Sequence, residues 1–150
     1  METDHSDLAR FLKAQEQTYS RALAELRAGE KRSHWMWYVF PQIAGLGRSA
    51  MAQLYAILDL AEARSYLAHP VLGRRLRECA GAVLAHAGVR TAEGILGGID
   101  AVKLRSSMTL FEVVADDNLF ARILDAFYAG GRDPETLRLL AASHDREDRP

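Results

Sequence analysis

Cysteine is almost missing from this 150-residue chain: Cys79 stands alone, so no internal disulfide staples the fold. No stretch approaches the ~20 uninterrupted apolar residues of a membrane-spanning helix. Charge of one sign is missing as well, since 19 Lys and Arg face 20 Asp and Glu. That balance sets up no global field toward nucleic acid or a membrane surface, and nucleic-acid binding ranks last among the readings. Any capacity for anions has to come from a local cluster. The chain also lacks HExxH, CxxC and paired His–Asp spacings, so neither a protein-bound metal nor a resident cofactor is expected. The opening METDHSDLARF has neither the basic nor the apolar region of a secretory signal, and the expected location is the cytoplasm.

What is present suits one domain. Hydrophobic residues make up 49% of the chain, and no internal repeat or linker rich in Pro, Gly or Ser divides it. A domain of this length buries roughly 68–70% of its unfolded surface, enough for one core. The expected domain spans residues 1–142. The charged end SHDREDRP is expected to form a disordered tail over 143–150.

Helical signals dominate. Ser6 or Asp7 caps a first helix with an apolar stripe of Leu8, Phe11, Leu12, Tyr19, Leu23 and Leu26, stopped by Gly29. Asp59 caps LAEARSYLA, and Pro70 opens PVLGRRLRECAGAVLAHA, which Gly88 ends. Thr91, Asp100, Asn118 or Asp117, and Asp133 with Pro134 mark four further helix starts. The aromatic stretch from Ser33 to Gln42 differs: Pro41 and dense aromatics predict a short strand or extended segment. The class is mainly α, a single domain of six to seven helices with at most a few short strands. Cys79 falls on an apolar helix face and reads as buried filler.

Three stretches carry chemistry. KRSHWMWYVFPQ sets Trp35 and Trp37 beside Lys31, His34 and Gln42, groups that suit an aromatic ring with attached phosphates. GLGRS places Gly45, Gly47, Arg48 and Ser49 in an anion-receiving loop, although a lone Gly-x-Gly is a weak signal. In KLRSSM, Lys103 shares a helix face with Ser106 and Ser107 at spacings of three and four, with Arg105 alongside. One wall of the expected site is Lys31, His34, Trp35, Trp37, Gln42, Gly45, Gly47, Arg48 and Ser49; Lys103, Arg105, Ser106 and Ser107 stand opposite. The ligand is then an anionic, nucleotide-like small molecule, with His34 as proton carrier. The alternative is a protein-interaction module that presents aromatic segment 34–40 as a docking patch. His86 reads as a helix-end residue, and His69, before Pro70, reads either as a general acid or base or as a helix-entry residue bonded to backbone. Among the carboxylates, Asp133, Glu30, Asp59, Glu62 and Asp100 read as caps or solvated faces, and no pair suited to glycosidic hydrolysis stands out.

The strings GEKRSHWMWYVFPQIAGLGRS, LAHPVLGRRLREC, KLRSSMTLF and GGRDPETLRLL closely resemble a bacterial family of small helical proteins, domain of unknown function eighteen-ten, from about Asp7 to Leu140. Some of its members are labelled calpastatin, and no protease-inhibitor role is visible in these residues. A more remote resemblance in fold is to the NADAR superfamily of NAD and ADP-ribose metabolism. That resemblance implies a ligand class and, as a reaction, hydrolysis of a ribosyl–nitrogen bond. SHWMWY carries no acid where that superfamily has its glutamate–histidine motif, so the resemblance implies no catalytic residue.

Overall fold

The computed structural model describes the backbone of residues 8–147 and the side chains of residues 8–142. Within them lie ten helices: α1 (Ala9–Glu16), α2 (Tyr19–Ala28), α3 (Met36–Val39), α4 (Ala50–Leu54), α5 (Leu60–Ala68), α6 (Leu72–Leu84), α7 (Ala92–Leu96), α8 (Gly98–Val114), α9 (Leu119–Tyr128) and α10 (Pro134–Glu147). The all-α class holds, and the count exceeds the expected six to seven for two physical reasons. The first helix breaks in two where the Thr18 hydroxyl turns back to the Ala14 carbonyl at 2.8 Å, a bond that competes with the helical ladder. Two further helices, α3 and α4, are one-turn pieces of four and five residues outside the starts given above. Residues 6 and 7, the expected first cap, lie outside the described residues. Helix α10 runs on to Glu147, into the stretch expected as a tail.

The aromatic segment is not a strand. It forms the single turn α3, and Phe40 ends it in front of Pro41, a position disfavoured for helix. Among the described residues the only strand-like pairing is an isolated parallel bridge between Ile43 and Ile57. There Ala44 donates to the Ile57 carbonyl and Ile57 to the Gln42 carbonyl, both at 2.8 Å.

Most expected caps are in place. Asp59 accepts from the Glu62 amide, Thr91 from Gly94, and Asp133 from Thr136. Gly29 closes α2 at φ 80°, a left-handed turn that glycine adopts without strain. Three boundaries shift. Helix α6 starts at Leu72 rather than Pro70 because His69 Nδ1 accepts from the amides of Val71 and Leu72. It ends at Leu84, four residues before Gly88. Helix α8 begins at Gly98, which puts Asp100 inside its first turn instead of at the cap.

Helix α8 runs through the centre, in contact with α5, α7, α9 and α10. From Ser106 to Phe111 every residue is buried, the signature of a helix surrounded on all sides. Beside it an aromatic series crosses the core, Phe11 to Tyr66 to Phe111 to Phe120, with ring centroids 5.0, 5.4 and 6.1 Å apart. Cys79 is fully buried, and burial pushes its thiol up to about 12, as befits filler rather than a nucleophile.

One polar side chain anchors α3 to this core. Gln15, itself buried, donates to the Tyr38 carbonyl at 2.7 Å and to the Tyr66 hydroxyl at 3.1 Å, and accepts from Arg75 at 3.3 Å. The α5–α6 corner is tight: a Cβ on Gly73 would sit 2.0 Å from the Leu67 carbonyl oxygen. Propensity alone favours alanine over glycine in a helix by up to ~1 kcal/mol, but a rigid backbone clash outweighs that gain. Gly73→Ala is therefore expected to destabilise the protein by about 2 kcal/mol, read as a lower urea midpoint at unchanged slope.

Candidate functional site

The site is built outward from a carboxylate that sequence reasoning did not single out. Glu25, in the last turn of α2, accepts the Arg32 amide at 2.9 Å, the Ser33 amide at 3.1 Å and the Trp35 indole N–H at 2.8 Å on one oxygen. Its other oxygen accepts the Ser33 hydroxyl at 2.7 Å. Burial pushes the Glu25 carboxyl up, yet these donors outweigh it and hold the group at about 2. Loop 30–35 is thereby folded back over α2, and the Lys31 amide reaches the Ile95 carbonyl of α7 at 2.7 Å.

That loop delivers the cations. Lys31 Nζ lies 5.2 Å from the Trp35 ring centroid and 2.9 Å from Asp100 on α8. Lys103, one turn further along α8, lies 3.6 Å from the other Asp100 oxygen and 5.2 Å from the Trp37 ring centroid. The two polar stretches of the sequence thus converge, through Asp100.

Two depressions flank this ion cluster. One, of about 430 Å³, is lined by Gln42, Leu46 and Gly47 on one side and by Ile99, Val102, Lys103 and Ser106 of α8 on the other, with Asp133 at its end. Its floor is mostly apolar, with a few convergent polar groups, as small-molecule sites are. There Ser106 donates to Asp133 at 3.1 Å. The second, about 320 Å³, is lined by Lys31, His34, Leu96, Gly97, Gly98, Ile99 and Asp100. Ile99 belongs to both walls and is 77% exposed, a ridge between them.

Of the expected site residues, Lys31, His34, Gln42, Gly47, Lys103 and Ser106 line these depressions. Trp37, half-buried, lies under Lys103. The others do different work. Trp35 is 1% exposed with its N–H spent on Glu25, so it offers no stacking face. A helical turn separates it from Trp37, whereas a strand would have put both on one face. Arg105 donates to the carbonyls of Gly131 and Arg132 at 2.8 and 2.7 Å, tying α8 to the α9–α10 loop. Ser107 is fully buried, its hydroxyl without a partner among the described residues. Ser49 caps α4 by accepting from Ala52 at 3.1 Å. Gly45, at φ 104°, turns the loop against Leu139, and a Cβ on Gly47 would sit 2.5 Å from that of Ala52. Arg48 is exposed and lines neither depression.

The other polar residues are structural. His86 Nε2 donates to the Leu26 carbonyl at 2.8 Å, and Glu62, expected on a solvated face, is buried against Arg10 at 3.3 Å. Among the described residues no group of three His, Cys, Asp or Glu side chains is placed to hold a metal ion. None of their helices is long and apolar enough to cross a membrane.

What fold and site define is a small all-α domain with a divided, mixed-polarity groove beside its central helix. Residues 5–140 match the family described as protein of unknown function DUF1810, and the chain belongs to that family. It is similar in structure to the conserved hypothetical protein Rv1873 from Mycobacterium tuberculosis, at 49% identity and a TM-score of 0.87, over 90% of this chain and 96% of that one. A comparison with curated proteins finds no match.

Removing the Glu25 carboxylate leaves the indole N–H of buried Trp35 and the half-buried Ser33 donors unpaired, so Glu25→Ala is expected to cost about 3 kcal/mol. Its folded-state value lies below the ordinary carboxylate value of 4.5. The stability it contributes is therefore complete above that value and is lost as pH falls toward about 2. Urea unfolding at pH 7 and at pH 3 should show a larger gap in the wild type than in Glu25→Gln.

Proposed function

We propose that the divided groove binds an anionic, nucleotide-like small molecule. The observation that supports this is the convergence of two stretches at least 52 residues apart, Lys31 to Gly47 and Ile99 to Ser106, on one groove. An apolar ring fits between Leu46, Ile99 and Val102, where Gln42 and Ser106 offer hydrogen bonds to its edge. Lys103 and Lys31 carry the charge complementary to phosphate. The remote likeness to the NADAR superfamily favours the same ligand class, with ADP-ribose-like molecules foremost. In this reading hydrolysis of a ribosyl–nitrogen bond is the reaction to assay, and His34, exposed at the second depression beside Asp100, is the proton carrier. A docking patch on 34–40 has less support: Trp35, Met36, Tyr38, Val39 and Phe40 are all buried.

The test is a thermal-shift panel of NAD, ADP-ribose, mononucleotides and riboflavin precursors. A ligand at ~100 times its dissociation constant stabilises the fold by ~2.7 kcal/mol, which raises Tm by roughly 5–10 °C. Lys103→Ala should abolish the shift. Arg105→Ala should lower the Tm of the free protein and leave the ligand-induced increment intact. No shift from any compound, with tryptophan fluorescence unmoved, would overturn the proposal.

A further inference from the structure

Asp100 stands where two ammonium groups meet, 2.9 Å from Lys31 and 3.6 Å from Lys103. The cluster is sheltered: the three side chains are 9%, 16% and 26% exposed for Lys31, Asp100 and Lys103. Each lysine is also held over an indole, Lys31 over Trp35 and Lys103 over Trp37. Their positions are fixed by the rings as well as by the carboxylate, so they do not depend on Asp100 alone. Two positive charges against one negative leave the cluster at +1, with its anion position already filled by the protein's own carboxylate.

We propose that Asp100 is an internal counter-ion that sets the anion affinity of the groove. A ligand phosphate has to displace it from the lysines or settle beside it, and like charges at such range in a partly enclosed site repel appreciably. Asp100 thereby rejects weakly held anions, inorganic phosphate and sulfate among them, and admits a molecule whose apolar part also engages Leu46, Ile99 and Val102. Selectivity follows from building in a repulsive element as much as from the attractive ones. This inference rests on the groove being the binding site, and it concerns specificity rather than catalysis.

The experiment is calorimetric titration of the wild type, Asp100→Asn and Asp100→Ser with two probes, inorganic pyrophosphate and ADP-ribose. Melting curves first establish which variants are folded; the serine variant keeps a polar acceptor in the first turn of α8 should the amide not be tolerated. Pyrophosphate is expected to bind the variants about tenfold more tightly than the wild type, and Lys31→Met added to Asp100→Asn should remove the gain. Equal or weaker pyrophosphate binding in the folded variants would overturn the inference, because Asp100 would then position the lysines instead of competing for them. The two proposals fail separately. A pyrophosphate gain with no ADP-ribose binding by any form sinks the nucleotide reading and keeps the counter-ion. ADP-ribose binding to the wild type with no pyrophosphate gain in either variant does the reverse, and silence from both probes in every form rejects both.

Discussion

A single carboxylate decides where the aromatic loop goes. Glu25 reaches the surface end of α2 with four donors arrayed around it, three of them from residues that follow the Gly29 turn within four positions. A charged acceptor makes stronger hydrogen bonds than a neutral one, and here it collects several at once. The consequence reaches well past the loop. Trp35 can be driven into the core only because its N–H keeps a partner there, since an unpaired indole donor would make burial costly. With Trp35 fixed, Lys31 lies over its ring and meets Asp100; Asp100 meets Lys103; Lys103 covers Trp37. A chain of polar and cation–ring contacts thus runs from α2 to α8, and its α8 end is a wall of the groove.

The same residue types fall into two populations with different work. Arg105, Ser49, His69 and His86 spend their polar atoms on backbone groups of loops and helix ends. Backbone groups that are buried have to be paired, and these side chains are what the irregular connections use. Lys31, Lys103, His34, Gln42 and Ser106 line the groove instead. Its charges nearly cancel, with Asp100 and Asp133 set against the two lysines, so the pattern it presents is local and not a field. The ligand proposed above matches that pattern, apolar in the middle and anionic at the lysine end.

Much of this was legible in the chain, and the gaps have physical causes. Caps at Asp59, Thr91, Asp133 and the stop at Gly29 follow from local rules, because each is satisfied within a few residues. The convergence of the two polar stretches was an expectation that the chain alone does not settle, and only part of each stretch, Lys31, His34, Gln42, Gly47, Lys103 and Ser106, lines the depressions. The aromatic turn was misjudged since Pro41 and dense aromatics favour extension locally, while Gln15 and Glu25, 23 and 10 residues upstream of their partners, hold the chain in a turn. That change of period from two to 3.6 is what parted Trp35 from Trp37. The cap of α8 falls at Gly97, three residues before Asp100, and the shift turns a supposed cap into the link between two lysines. Nothing local marks Glu25, although its position one turn before a glycine stop, with Ser and Arg amides just beyond, is a pattern that can be sought elsewhere.

Rigidity is the last link from these contacts to binding. One wall of the groove rests on α8, buried on every side through its middle. The other rests on α3 and the loop after it, held by Gln15 from below, by Glu25 from the side and by the Ile43–Ile57 bridge at its far end. Each tie is a satisfied buried polar contact or a backbone pairing, the kind that fixes one arrangement rather than several. A groove so framed loses little conformational entropy when it is filled, and side chains already ordered over aromatic rings lose less still. A small ligand, as proposed above, suits such a frame. The few polar groups present suffice for a molecule that matches them, because their positions are set by the fold before anything binds.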